Sequence, residues 1–218
     1  LQNPSGVIQG DFFMGWGSWL IFIQMPDLYI IAGCNGAGKT TASYTVLPEM
    51  LHCKEFVNAD NIALGLSPFN PEKVSIEAAR IMLHRIDELM YQQESFAFET
   101  TLASRSYVSF IKKAKIAGYK VTMVYFWLNS VDTAKLRVLE RVKNGGHDIP
   151  EETIIRRYKR GIVNLFSLYM PICNYWLLID NSINELEMVV EGEFEKAIDI
   201  KNSDIWETIK KQHDAYKS

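Results

Sequence analysis

Leu28-Tyr-Ile-Ile-Ala-Gly-Cys-Asn-Gly-Ala-Gly-Lys-Thr-Thr41 decides how this chain folds. Residues Gly33 to Thr40 fill every fixed position of the phosphate-binding loop pattern Gly-x-x-x-x-Gly-Lys-Ser/Thr. The apolar run Leu28 to Ala32 predicts a strand before the loop, and Lys39 to Met50 predicts a helix after it. In that context the glycines let a polyphosphate approach the main chain, and the loop N–H groups with the helix N-terminus supply partial positive charge. The expected nucleotide-binding set is Gly33, Cys34, Asn35, Gly36, Ala37, Gly38, Lys39, Thr40 and Thr41. Lys39 is expected at the β- and γ-phosphates, and the Thr40 hydroxyl on Mg²⁺.

Outward from the loop, strands and helices alternate. Short strands are expected at Glu55–Asn58, Ser95–Phe98, Val121–Leu128 and Tyr175–Ile179, with a weaker one near Met188–Glu191. Between them, apolar residues at helical spacing predict helices over Glu72–Gln92, Ser106–Ala117, Asp132–Lys143 and Glu151–Leu168, and a polar helix from Ser203 closes the chain. This pattern implies right-handed βαβ crossovers, hence an α/β three-layer fold with a mostly parallel sheet of five to six strands. Ligands of such sheets bind beyond the carboxyl ends of the strands. The phosphate loop, Asp60, Glu99–Thr101 and Asp180–Ser182 all fall at such ends.

With 218 residues, 48% hydrophobic and 22% charged, the chain fits one α/β domain with a substantial core. A net charge of −3 argues against nucleic acid as a partner. Cys34, Cys53 and Cys173 are too few and too scattered for a disulfide framework or a zinc site, and they suit a reducing cytoplasm. Residues 1–24 contain no Lys or Arg and carry an apolar stretch from Phe12 to Ile23. The stretch has neither the basic start of a signal peptide nor the length of about 20 residues that spans a bilayer, so no membrane association is expected. These residues read as upstream or cloning-derived sequence, or as an extra edge strand, with no catalytic role. The remainder, 25–218, reads as a single kinase-type domain with a lid at about 137–160.

Other phosphate-loop classes lack support: there is no Leu-Ser-Gly-Gly-Gln string, no Asn-Lys-x-Asp guanine reader, and the third strand ends in Glu99 rather than a tandem Asp-Glu. Small-molecule kinases remain, with ATP as donor. Their acceptor hydroxyl needs a carboxylate to take its proton. Asp60, just past the second strand, has that placement, and it equally suits the N-cap of a following helix. Residues 135–160 hold eight cations, Lys135, Arg137, Arg141, Lys143, Arg156, Arg157, Lys159 and Arg160, against four acids, Glu140, Asp148, Glu151 and Glu152. This local +4 leaves −7 on the rest of the chain. Arg141, with Arg156 or Arg157, flanks Gly145-Gly146, so a basic lid hinged on the two glycines is expected to close on the transferred phosphoryl group. A nucleotide-gated ATPase switch with no small-molecule acceptor is the alternative.

Four strings in order, Ile31–Thr41, Phe56-Val-Asn-Ala-Asp-Asn-Ile62, Phe98-Glu-Thr-Thr-Leu102 and Asn144-Gly-Gly-His-Asp-Ile-Pro150, resemble the zeta-toxin-like family of phosphate-loop kinases, nearest its compact bacterial "predicted ATPase" branch. The resemblance covers about residues 26–183. It implies ATP- and Mg²⁺-dependent phosphorylation of a sugar hydroxyl, in the toxin members that of UDP-N-acetylglucosamine, with an antitoxin as a possible protein partner. Carried over by motif, Lys39 and Thr40 bind ATP and Mg²⁺, and Asp60 is the base. Glu99 and Thr101 hold the acceptor, with Arg105 beside them, and Arg141 with Arg156 or Arg157 stabilises the moving phosphoryl group. The chain departs from the best-known toxins in having Thr-Thr-Leu-Ala-Ser-Arg105 after the glutamate and in its Gly-Gly-His-Asp segment.

Overall fold

The computed structural model describes residues 25–146, 148–183 and 185–217. The expectations for residues 1–24 and for His147 lie outside the described residues. Strands β1 (Asp27–Gly33), β2 (Glu55–Val57), β3 (Phe96–Thr100), β4 (Lys120–Trp127), β5 (Tyr175–Asp180), β6 (Glu187–Glu193) and β7 (Lys196–Ile200) form one sheet in the order β2-β3-β1-β4-β5-β6-β7. The first five are parallel, and β6 and β7 complete the sheet as an antiparallel pair. Helices α1 (Lys39–Thr45), α2 (Ala59–Leu66), α3 (Ser75–Gln92), α4 (Ser106–Ile116), α5 (Val131–Lys143), α6 (Glu151–Asn164) and α7 (Ser203–Lys217) make the outer layers of a three-layer α/β fold.

The central strands are apolar because both sheet faces are covered. Leu28, Ile30, Ile31, Val121, Met123 and Phe126 are buried, each worth about 1.5–3 kcal/mol relative to exposure. Phe96, Phe98, Tyr107, Phe110 and Tyr119 pack ring on ring at 5.0–6.4 Å between β3 and α4. The strand order turns back at β1: the chain leaves it for β2 and β3 on one side, then crosses to β4 on the other. Such a reversal opens a crevice at the carboxyl ends of the strands, where the phosphate loop stands.

Several expected boundaries move for identifiable reasons. The sheet has seven strands rather than five or six, since Lys196–Ile200 pairs only with β6 and leaves Ala197, Ile198 and Ile200 exposed, with no buried face to betray it in the sequence. The helix expected to reach Leu168 stops at Asn164 and passes through a π-type turn, Leu165–Tyr169, and a 3₁₀ turn at Met170–Ile172. Pro171 explains that ending, because it offers no N–H and crowds the preceding turn. β3 continues through Thr100, which holds Glu99 inside a strand.

The Gly145-Gly146 pair ends α5 rather than standing as an isolated hinge. Gly145, at φ 87°, donates to the Val142 carbonyl at 3.0 Å, and Gly146 donates to Arg141 at 2.9 Å. This is the paired hydrogen-bond pattern that closes helices at a left-handed glycine. The same pattern closes α4 at Gly118.

Candidate active site

The phosphate loop is held from both flanks. Gly38, at φ 79°, stands as the N-cap of α1, and a Cβ there would strike the Asn181 amide, which donates to the Ala37 carbonyl at 2.9 Å. A Cβ on Gly36 would lie 2.9 Å from the Ala134 carbonyl of α5. Both glycines therefore bring bare main chain against their neighbours, a loop geometry that fits a polyphosphate. Lys39 is buried, its ammonium 2.9 Å from the Cys34 carbonyl and 3.3 Å from Glu99 Oε1. Burial pushes the Cys34 thiol up to about 11, partly offset by Lys39.

Glu99 is the hub of this arrangement. Its Oε2 accepts from the Thr40 hydroxyl at 2.7 Å and from Asn58 Nδ2 at 2.7 Å. Asn58 Oδ1 in turn accepts from the N–H groups of Asp60 (2.8 Å) and Asn61 (3.2 Å), capping α2. One carboxylate therefore joins the ends of β1, β2 and β3. The capping role considered for Asp60 belongs to Asn58, and the Asp60 side chain is exposed to the adjoining cavity. Asn58 was not singled out as a site residue, although it stands two positions before Asp60 in the same string.

That cavity, about 430 Å³, is lined by Asn35, Lys39, Asp60, Glu99, Thr101 and the arginines 156, 157 and 160 with their neighbours. Arg157 Nη1 donates to Asn35 Oδ1 of the phosphate loop at 3.2 Å, across 122 residues of chain. Burial lowers the pKa of this guanidinium, and the Asp60 charge acts in the opposite direction. Arg156 is exposed on the same cavity. Of the two candidates, Arg157 is the one tied to the loop. Arg160, one helical turn beyond Arg156, also reaches the cavity, although it was not among the expected site residues.

Arg141 stands elsewhere. It lines a second cavity of about 460 Å³ on the opposite flank of the loop, with Gly36, Gly38, Thr41, Arg137 and Asn181. Arg137 donates to the Ser182 carbonyl at 3.2 Å and ties α5 to the turn after β5. The structure thus brings Arg156 and Arg157 together with Asp60 and keeps Arg141 apart from them. Arg105 is likewise absent from the Asp60 cavity and lines a neighbouring one.

The oxygens of Thr40 and Glu99 are the hard donors that Mg²⁺ takes, and Mg²⁺ is commonly held by one or two such groups together with substrate phosphates. Among the described residues no cluster of three or more His, Cys, Asp or Glu could hold a metal unaided. No helix among them is long and apolar enough to cross a membrane.

Residues 66–167 match the family model described as Zeta toxin. An uncharacterized protein of Haemophilus influenzae is 32% identical over 139 residues, which span 63% of this chain and 96% of that protein. Among solved structures, the AvrRxo1-ORF1:AvrRxo1-ORF2 complex with ATP contains a chain with a TM-score of 0.70 and 18% identity over 85% of this chain. This chain spans 63% of that one. A chain of the PezAT chromosomal toxin-antitoxin system of Streptococcus pneumoniae superposes with a TM-score of 0.61 at 13% identity, over 89% of this chain and 88% of that chain. At these identities the structural likeness speaks for the fold.

Proposed function

The chain belongs to the zeta-toxin-like family of P-loop kinases, a family of ATP-dependent phosphotransferases, and on that premise we propose that it moves the γ-phosphoryl group of ATP onto a sugar hydroxyl. The acceptor in this proposal is a nucleotide sugar such as UDP-N-acetylglucosamine. The observation that carries it is the single cavity in which Lys39, Asp60, Glu99, Arg156 and Arg157 meet beside the phosphate loop. A nucleotide-driven switch has no need of an open space beside a free carboxylate. A kinase needs it for the acceptor.

In the proposed reaction the Asp60 carboxylate takes the proton of the acceptor hydroxyl as that oxygen bonds to the γ-phosphorus. The bond from phosphorus to the β–γ bridging oxygen breaks, and ADP leaves with the electron pair. Lys39 exchanges the Cys34 carbonyl for the β- and γ-phosphates, and the loop N–H groups hold the remaining oxygens. Arg157, set over the loop by Asn35, meets the charge that gathers on the moving group, where a positioned cation acts most strongly. Arg156 and Thr101 face the acceptor. Mg²⁺, held by Thr40 with Glu99 in support, neutralises phosphate charge when bound. Glu99 in this scheme serves the metal side rather than the acceptor, because its oxygens are already engaged with Thr40, Asn58 and Lys39. Arg141, on the other flank, serves the nucleoside end of ATP.

Incubation with ATP, Mg²⁺ and a panel of nucleotide sugars tests the proposal, with mass spectrometry of the products. A gain of one phosphate on an acceptor is expected. Vigorous release of inorganic phosphate with no acceptor modified would instead establish a nucleotide-gated switch. PezAT is described as a toxin-antitoxin system, and a neutralising protein partner belongs to the same proposal. Its check is growth arrest on induction of the protein, absent with Lys39→Ala.

A further inference from the structure

Arg157 owes its direction to the way α6 is rolled about its own axis. Residues 157 and 158 stand about 100° apart around the helix, so the direction of the buried Tyr158 sets that of Arg157. Along this inner face the fit is close: a Cβ on Gly161 would come within 2.7 Å of the Thr101 carbonyl in the β3–α4 connection. At Tyr158 the fit is polar. Its hydroxyl donates at 2.7 Å to the carbonyl of Leu128, just past β4, and lies 3.3 Å from Gln212 Oε1 of α7. Burial holds the Tyr158 phenol far above its ordinary pKa, so it keeps the proton it donates.

Gln212 shares the inner side of α7 with Trp206, Ile209 and Tyr216. Trp206 stacks on Phe166 at 5.4 Å, and Tyr216 meets the Tyr158 ring edge-on at 6.3 Å. An aliphatic side chain would pack in the same place, whereas a half-buried amide is costly unless it is hydrogen-bonded. Both ends of this one are bonded. Oε1 accepts from Trp127 Nε1 at 2.9 Å, and Nε2 donates to the Asn129 carbonyl at 3.1 Å. An indole N–H can only donate and a carbonyl can only accept, so the amide has one orientation, with its oxygen toward Trp127 and Tyr158. Trp127, Leu128 and Asn129 are consecutive, and α6 and α7 are therefore tied to the same three residues at the end of β4.

We propose that Gln212 is a positioning residue for Arg157: its amide locks Tyr158, and with it the roll of α6, to the end of β4, so that the guanidinium stands over the phosphate loop at Asn35. Gln212 is not among the residues that line the Asp60 cavity, and it acts through the helix alone. The bond it protects, Arg157 Nη1 to Asn35 Oδ1 at 3.2 Å, is at the long end of the normal range, so a small roll of α6 breaks it. A misplacement of about 1 Å is enough to cost about 10²-fold in a transfer reaction. What Arg157 does over the loop rests on the kinase proposal. Where it stands does not.

Two variants test this. Gln212→Leu keeps the bulk and removes the amide, and Tyr158→Phe keeps the ring and removes the hydroxyl, so it carries the same test should the first fail to fold. The first readout needs no turnover: the side-chain Nε–H resonance of Arg157 in ¹⁵N-labelled protein, identified by its loss in Arg157→Lys. It is expected at a distinct shift in the native protein and at the position of solvent-exposed arginines in both variants. In turnover, each variant should lower kcat about 10-fold with the KM for ATP unchanged, and should cost nothing further when added to Arg157→Lys. A resonance unmoved in both variants overturns the proposal. So does an equal loss of kcat with and without Arg157→Lys, which would make Gln212 a packing residue only, or a raised KM for ATP with kcat spared. A resonance that moves as expected in a protein that phosphorylates no acceptor keeps the positioning role and removes the kinase proposal.

Discussion

Lys39, Thr40, Glu99 and Asn58 are joined to one another and to the Cys34 carbonyl at distances of 2.7–3.3 Å, all from the ends of β1, β2 and β3. The arginines on α5 and α6 present the opposite picture. Arg157 reaches the loop through one contact of 3.2 Å, Arg156 is exposed, and Arg141 faces a different cavity. The first group sits at the carboxyl edge of a covered sheet and at the start of α1, where the register of β1 to β3 leaves little freedom. The second sits on helices linked through residues 144–150, outside the sheet. A phosphate grip can be preorganised in this way before nucleotide arrives, while the cations proposed to meet transition-state charge depend on how two helices lie against the loop.

Substitutions can sharpen that contrast, and the largest effect is expected at the base. Asp60→Asn should cut kcat by about 10²–10⁴-fold and leave ATP affinity unchanged, since the Asp60 side chain takes no part in the loop and Asn58 caps the helix. Loss of ATP binding in that variant would move Asp60 into the structural group. Lys39→Ala should lower kcat by about 10²–10³-fold, comparable to removing a positioned donor to transition-state charge. Unchanged activity in folded Lys39→Ala protein would break the assignment of the loop.

On the helical side, Arg157→Lys should cost about 10–100-fold in kcat although the charge is kept, because the planar fork that donates to Asn35, and in the proposed reaction to phosphate, is lost. Asn35→Ala should cost less, about 10-fold in kcat with little change in the KM for ATP, because Arg157 stays present but loses its placement. If the two variants instead raised the KM for ATP and spared kcat, Arg157 would belong to nucleotide binding. The smallest signal is dynamic. Amides of residues 137–160 should gain hydrogen-exchange protection with ATP analogue and acceptor together, while those of β1 and β3 change little.

Much of the fold was legible because its signals are local. A glycine-rich loop between an apolar strand and a helix has one mechanical meaning, and the continuous apolar run of Val121–Leu128 marks a strand buried on both faces. The exposed β7 carried no such signature, and the glycine pair after Lys143 could read as a hinge or a helix stop until its hydrogen bonds were known. The same division holds within the site. Lys39 and Thr40 were expected from motif spacing, and Asp60, which spacing left open between base and helix cap, from its place beyond the second strand. Asn58 as cap and partner of Glu99, Asn181 as brace of the loop, and Asn35 as the seat of Arg157 involve pairs separated by 41, 144 and 122 residues.

By itself, then, the sequence determined the phosphate loop, the alternation of strands and helices, and which carboxylates stand at strand ends, since each follows from side-chain period and backbone freedom over a few residues. Only the tertiary structure decided which arginine meets which cavity. Residues 141, 156, 157 and 160 are alike in chemistry and near in sequence. They part because α5 packs on one flank of the loop through Ala134 and Gly36, while α6 packs on the other through Gly161 and the β3–α4 connection.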